Sequence, residues 1–309
     1  MLLSKVRTDI VTSLELVGGR HDEPEIYGGA PGDPGLAGGP DSLSWEINGD
    51  LGIVGVAGMG AIIMEVLHPS VMAGVFSQST YATQPLRRAR NTLGYVLRTT
   101  FGTTDAATDV IERVKKIHSR INGVRPDGVP YEALDPKLIA WVHTCIPWAV
   151  MTAYDRYRRP LTDEEKSRYL AEQAPIGLLA GADWVPTTVA ELEEFVERLR
   201  PEMAFTEQTH EFIRFLAEGT VEGTTAGWRE RTDRRLGLHA SMGLMPRWAR
   251  QLTGLDHPGW AERVYFGPTE QLKANVVRWA YPEPPCKQLA LQRVGRASAA
   301  ASASASAAA

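Results

Sequence analysis

Residues 53–69 read IVGVAGMGAIIMEVLHP, an apolar run with glycines at 55, 58 and 60. A strand followed by a phosphate-cradling loop would point to a nucleotide enzyme. A buried helix would point elsewhere. The dinucleotide fingerprint orders its glycines G-x-G-x-x-G after a strand, with an acidic residue about twenty positions on. Here the order is G-x-x-G-x-G, and Ser79, Thr80 and Tyr81 stand where the acid belongs. No strand–helix alternation follows. The stretch therefore reads as a helix that is apolar on all sides, as suits a helix surrounded by protein. Each glycine costs about 1 kcal/mol of helix propensity relative to alanine. Close approach by a neighbouring helix or a flat ligand offsets such a cost. Pro69 stops the helix and leaves His68 at its C-terminal end.

The surrounding chain has 309 residues, 43% of them hydrophobic and 23% charged, with a net charge of −4. That composition belongs to a globular protein with a sizeable core and has no global basic field for nucleic acid. Cys145 and Cys286 are the two cysteines, and neither lies in a CxxC or a zinc-ligand spacing. Covalent haem attachment and structural zinc are not expected, and two lone cysteines fit a reducing cytoplasm. The first ten residues are charged, unlike a signal peptide. No window reaches the roughly 20 apolar residues of a membrane span.

Three regions follow from composition. Residues 1–41 combine a short amphipathic helix with the Gly/Pro-rich arm GGRHDEPEIYGGAPGDPGLAGGPD (18–41), read as extended or loop. Residues 42–296 read as an all-α domain. The Ala/Ser tail 297–309 is of low complexity and carries no core residue. Helices are expected at 42–67, 69–78, 84–101, 104–121, 135–158, 162–174, 188–198, 207–217, 224–236, 241–252 and 259–279, with no convincing strand. Asp135-Pro136 marks a helix start, and Thr162/Glu165 and Thr188/Glu191 form capping boxes. Asn122-Gly123 is expected to close the 104–121 helix with a left-handed cap. Pro147 is expected to kink the helix that bears His143 and to free the His143 carbonyl.

Among the seven histidines, His68, His118 and His143 have apolar surroundings. Ile111, Val114, Ile117 and Ile121 share a helical face, and His118 lies on or beside it. A histidine so placed is a core residue with a hydrogen-bond partner or a ligand. His143 is a ligand, an orienting donor or a core residue. Glu65 and His68 form one ExxH pair, whereas a di-iron bundle needs two. Arg88, Asn91 and Thr92 share a helical face. An inward arginine there would hold an anionic group with its planar fork.

The ordered set HPSVMAGV (68–75), Arg88 with Thr92, FG (101–102), VKKIHSRING (114–123), YEALDP (131–136), WVH (141–143) and AYDRYRRPLTDEE (153–165) resembles one known family. That family is the DUF2236, or oxygenase MpaB and rubber oxygenase (latex clearing protein), catalytic domain, in its short bacterial branch. The likeness covers about half the chain, from Trp45 to roughly Tyr169. It implies an all-α, single-domain helical bundle enclosing a pocket for non-covalent haem b. By the resemblance, His118 is the axial ligand of the haem iron, and Arg88 and Thr92 belong to the haem side of the pocket. His143 becomes an orienting or distal-pocket residue, or the ligand instead, His68 becomes a pocket or structural residue at the end of the glycine-bearing helix, and Gly58 lets that helix pack close to the porphyrin. Asn91 stands where rubber-cleaving members carry a lysine. An amide only hydrogen-bonds, whereas lysine can act as a base or a ligand.

The implied activity is a haem-dependent oxygenase using O2 on an apolar or aromatic small molecule, by insertion or C=C cleavage. Arg88, Asn91 and Thr92 would then be its catalytic-side residues, with an electron donor and a homodimer as possible partners. Two other readings stand beside it. One is a haem sensor or carrier without oxygenase activity. The other is a helical interaction protein without a cofactor.

Overall fold

The computed structural model describes residues 2–77, 85–218 and 227–295. The tail 297–309 lies outside them, as do the edges of three expected helices at 78, 84 and 224–226. The fold is all-α with one short hairpin. In chain order the elements are α1 (Leu2–Gly18), α2 (Pro24–Tyr27), α3 (Leu43–Asn48), α4 (Leu51–Val66), α5 (Pro69–Ser77), α6 (Pro85–Phe101) and α7 (Thr104–His118). After β1 (Asn122–Val124) and β2 (Pro130–Glu132) come α8 (Pro136–Tyr157), α9 (Asp163–Ala180), α10 (Val189–Leu199), α11 (Glu207–Glu218), α12 (Trp228–Met242) and α13 (Arg247–Thr253). The chain ends in α14 (Gly259–Ala261), a π turn (Glu262–Phe266), α15 (Gly267–Ala280) and α16 (residues 285–295).

The opening stretch is a helix. The expected 42–67 helix is divided, because Asn48-Gly49-Asp50 ends α3 and starts α4. The Asp50 carboxylate caps α4 by accepting from Ile53 N at 3.2 Å. At the other end α4 meets α5 at a 104° bend. α4 lies at the centre, packed by α3, α5, α8, α12 and α15. Its buried face (Ile53, Val54, Val56, Ala57, Ala61, Ile63, Met64) enters the main core with Trp141, Cys145, Ala149 and Val150 of α8.

Gly52 and Gly60 pay for their flexibility by close packing. A Cβ on Gly52 would stand 2.9 Å from Ala274 Cα of α15, and one on Gly60 would stand 2.9 Å from the Ser241 carbonyl of α12. Gly55 and Gly58 are different, because a Cβ on either would meet nothing within 4 Å.

Both predicted capping boxes form, at Thr162/Glu165 and Thr188/Glu191. The hairpin corrects the expectation of no strand. α7 stops at His118, with Ser119 as its right-handed cap. Asn122 and Gly123 then pair with Glu132 and Tyr131. The cause is Arg-Pro-Asp-Gly at 125–128, a turn sequence with Gly128 at φ 85°. Arg125 N and Val129 O close it at 2.8 Å. α8 runs through Pro147 as one helix, and α9 continues past Pro175 to a left-handed cap at Gly181.

The Gly/Pro arm is built into the fold. Tyr27 and Ala37 are fully buried beside Trp45, Leu97 and Phe101. The buried Arg293 of α16 donates to the carbonyls of Asp33 and Tyr27, both at 2.7 Å, and to Phe101 O at 3.1 Å. Asp33 in turn accepts from Thr104 N at 2.7 Å, at the start of α7. The arm is thereby fixed to the end of α7 opposite His118.

The two glycine classes predict opposite responses to alanine. Gly52→Ala must push α15 off α4 and should destabilise by about 1–3 kcal/mol, as overpacking does. Gly58→Ala meets open space in mid-helix and should stabilise the protein without ligand by up to about 1 kcal/mol. Urea midpoints of the two variants measure both.

Candidate functional site

On α4, Gly55, Gly58, Met59, Ile62 and Glu65 recur at three- and four-residue steps and form one stripe. Each of the five keeps accessible surface, whereas most of the helix is buried. α6 packs on α1, α3 and α7 rather than on this stripe. Glu65, at the end of the stripe, lies deep in the protein and keeps some accessible surface, as does His143 of α8.

Three ionisable side chains converge there from separate helices. Glu65 comes from the last turn of α4, Arg88 from the first turn of α6, and His118 from the last residue of α7. Burial pushes the Glu65 carboxyl up to about 8, although nearby Arg88 opposes the rise. Burial lowers the Arg88 guanidinium, and Glu65 partly restores it. Burial and the charge of Arg88 both hold His118 below its ordinary value. Arg88 thus feels Glu65 and acts on His118. The three side chains nevertheless make no hydrogen bond or ion pair among the described residues.

The other expected residues fall in distinct places. Thr92 is half-buried, and its hydroxyl donates to Arg88 O at 3.1 Å, within its own helix. Asn91 is exposed. His143 faces α9, where a Cβ on Gly177 would stand 2.5 Å from its ring. Its ring N–H donates to the Gln173 carbonyl, and burial still lowers it to about 4.

His68, expected as a pocket or structural residue, lies apart from Arg88 and His118. It sits at the α4–α5 corner, where Nδ1 accepts from Ser70 N at 3.2 Å and Nε2 lies 3.6 Å from Glu202. The helix turns between Glu65 and His68, so the ExxH pair does not share a site. The sequence reading passed over Tyr95, seven residues after Arg88 on the same face of α6. Its phenol is pushed up to about 12 by burial. The three-, four- and seven-residue steps from Arg88 were the available signal.

Haem needs one imidazole, a counter-charge for its carboxylates and an apolar slot without protruding side chains. Among the described residues His118 offers an imidazole and Arg88 a guanidinium with no hydrogen bond or ion pair, and Gly55 and Gly58 give two positions of helix surface without Cβ atoms. These residues fit the group. Among the described residues no three His, Cys, Asp or Glu side chains are grouped to hold a metal ion by themselves. No single helix among them is long and apolar enough to cross a membrane.

A family model described as "ER-bound oxygenase mpaB/B'/Rubber oxygenase, catalytic domain" matches residues 45–297. Two mycobacterial proteins are similar: Uncharacterized protein Rv2237 of Mycobacterium tuberculosis and Uncharacterized protein Mb2261 of Mycobacterium bovis. Each is 26% identical over 164 residues, spanning 50% of this chain and 64% of the relative. No solved structure matches the chain. The family match runs from Trp45 of α3 to the end of α16 and takes in every helix that lines the glycine stripe, so the chain belongs to the MpaB and rubber oxygenase catalytic-domain family.

Proposed function

We propose that the chain is a haem b-dependent oxygenase that uses O2 on a small apolar or aromatic molecule. One observation carries the reading: an imidazole, a guanidinium and a carboxyl, without a hydrogen bond or ion pair among the described residues, act on one another beside a helix stripe where Gly55 and Gly58 meet open space. The oxygenase class follows from the family, and the haem and the apolar substrate are inferred from the side chains.

Bound there, haem would supply the redox-active iron at which O2 is activated. His118 is neutral at physiological pH, because burial and Arg88 both oppose its protonation. A neutral imidazole is the form that ligates iron. Its position at the end of α7, with no competing hydrogen bond among the described residues, leaves the ring free for that role. Arg88 is the one cation felt by both Glu65 and His118, and its fork would bind a haem carboxylate. Thr92 holds its hydroxyl on the Arg88 carbonyl and so steadies the helical turn that presents the guanidinium.

Glu65 holds a proton on its carboxyl at neutral pH, because burial pushes it up to about 8. A carboxylic acid kept neutral in an apolar site can donate a hydrogen bond or deliver a proton. Met59 and Ile62 flank it and exclude water from the same stripe. The substrate would rest on this apolar side of the opening.

Two results test the assignment. His118→Ala should purify with haem content reduced at least about tenfold, because the axial bond is lost. His68→Ala should retain haem, since that ring lies at the α4–α5 corner with Nδ1 accepting from Ser70 N. Full loading of the His118 variant would refute the role.

Glu65 also sets a pH dependence in the protein without ligand. Its folded-state value is raised, so the folded state binds more protons and stability falls as pH rises towards about 8. The lowered histidines act in the opposite sense, but only below their ordinary value of 6.5. Between these limits Glu65 governs. Urea midpoints should decline from pH 6.5 to 8 in the wild type and stay level in Glu65→Gln. A wild-type curve that is flat across this window would contradict the buried acid.

A further inference from the structure

The stretch from Gly259 to Ala280 carries a dense set of exposed apolar side chains. Trp260 is 63% exposed, Val264 73%, Leu272 63% and Trp279 47%, with Tyr265 and Val276 between them. Trp260 and Val264, and Leu272, Val276 and Trp279, recur at three- and four-residue steps, and the two groups, with Tyr265, together extend about 28 Å along the helix. The opposite face is firmly seated, with Ala274 on Gly52 and Glu270 buried. A contiguous apolar face of this kind on a well-packed helix marks an interaction surface.

The charges identify the occupant. The two acids of the stretch, Glu262 and Glu270, both turn inward. Glu262 accepts from Arg156 at 2.8 Å and pairs with His257 at 2.9 Å, and Glu270 accepts from Lys273 at 2.7 Å. Outward stand Arg263 and Lys273. Arg263 has no ion-pair partner among the described residues.

At the Trp260 end, Arg247, Arg250, Asp256, His257, Pro258 and Gly259 line a cleft of about 560 Å³. Asp256 lies 3.7 and 3.5 Å from the two arginines and hydrogen-bonds neither. Arg250 Nε is buried without a hydrogen-bond partner, and Arg247 is largely exposed. The cleft thus presents two arginines, set against one carboxylate, to an anion. At the Trp279 end, Arg7 of α1 donates to Ala280 O at 3.0 Å. The net charge of the chain is −4, yet the charged side chains that stand outward on this stretch are cations. A second copy docked about a two-fold axis would bring these cations together with no outward acid of the stretch to offset them.

We propose that this face docks on the surface of an anionic phospholipid bilayer. Trp260, Val264, Leu272 and Trp279 enter the boundary between headgroups and acyl chains, where amphipathic helices lie in the membrane plane and tryptophan is favoured. Arg247 and Arg250 meet lipid phosphate, and Arg263 and Lys273 add attraction to the anionic surface. The proposal is independent of haem.

Flotation of the full chain tests it. The protein should float with vesicles of mixed phosphatidylglycerol and phosphatidylcholine, and far less with phosphatidylcholine alone. Trp260→Ser combined with Leu272→Asn should lower the bound fraction at least about tenfold. Arg247→Glu combined with Arg263→Glu should remove the preference for anionic lipid. All four positions are exposed, so unchanged melting curves serve as the control for folding. Absence of flotation with the mixed vesicles, or flotation unchanged in both variants, overturns the proposal. So does a dimer, seen by light scattering, that the Trp260/Leu272 variant dissociates, since the face would then belong to a second copy.

Discussion

The architecture depends on one constraint: α4 must be surrounded by protein and still leave one stripe of its surface bare. Its glycines meet the two demands separately. Gly52 and Gly60 let α15 and α12 approach to near backbone contact, while Gly55 and Gly58 meet open space. The helix is anchored by the first pair, so the second pair can line an opening without collapse of the core. A helix of uniform small residues would have closed against its neighbours. A helix of large ones would have filled the opening.

The polar groups of the site depend on that opening. Glu65 ends the bare stripe, and α6 and α7 bring Arg88 and His118 towards it. None of the three finds a hydrogen-bond partner among the described residues, although other deep polar groups do. Asn48, for example, donates to Thr100 at 2.9 Å and accepts from Tyr169 at 2.8 Å. Glu65, Arg88 and His118 act on one another electrostatically without a hydrogen bond among the described residues. That grouping beside the glycine stripe is the physical argument for a ligand there, and family membership supplies the class of chemistry.

Much of this was legible in the residues. Hydrophobic period and capping chemistry located most helices, because Asp135, Thr162 and Thr188 act within a single turn. Wrong glycine order was enough to reject a nucleotide loop, but order alone could not separate the packing pair from the open pair. That division depends on α12 and α15, which lie far away in sequence. The hairpin was missed because Asn122-Gly123 suits a helix end as well as a strand, and Arg-Pro-Asp-Gly decides between them. His68 was drawn towards the site by its spacing from Glu65, while the bend after Val66 turns it to Ser70 and Glu202. Tyr95 and the unpaired state of Glu65 required knowledge of what α6 and α7 leave uncovered.

The most direct test of the haem site is the ultraviolet–visible spectrum of protein purified with adequate iron and haem precursor, recorded before and after dithionite and then carbon monoxide. The account predicts a strong Soret band that shifts with carbon monoxide, because His118 would hold one side of the iron and leave the other open. A protein that is colourless as purified, and stays so through titration with haem, would contradict it.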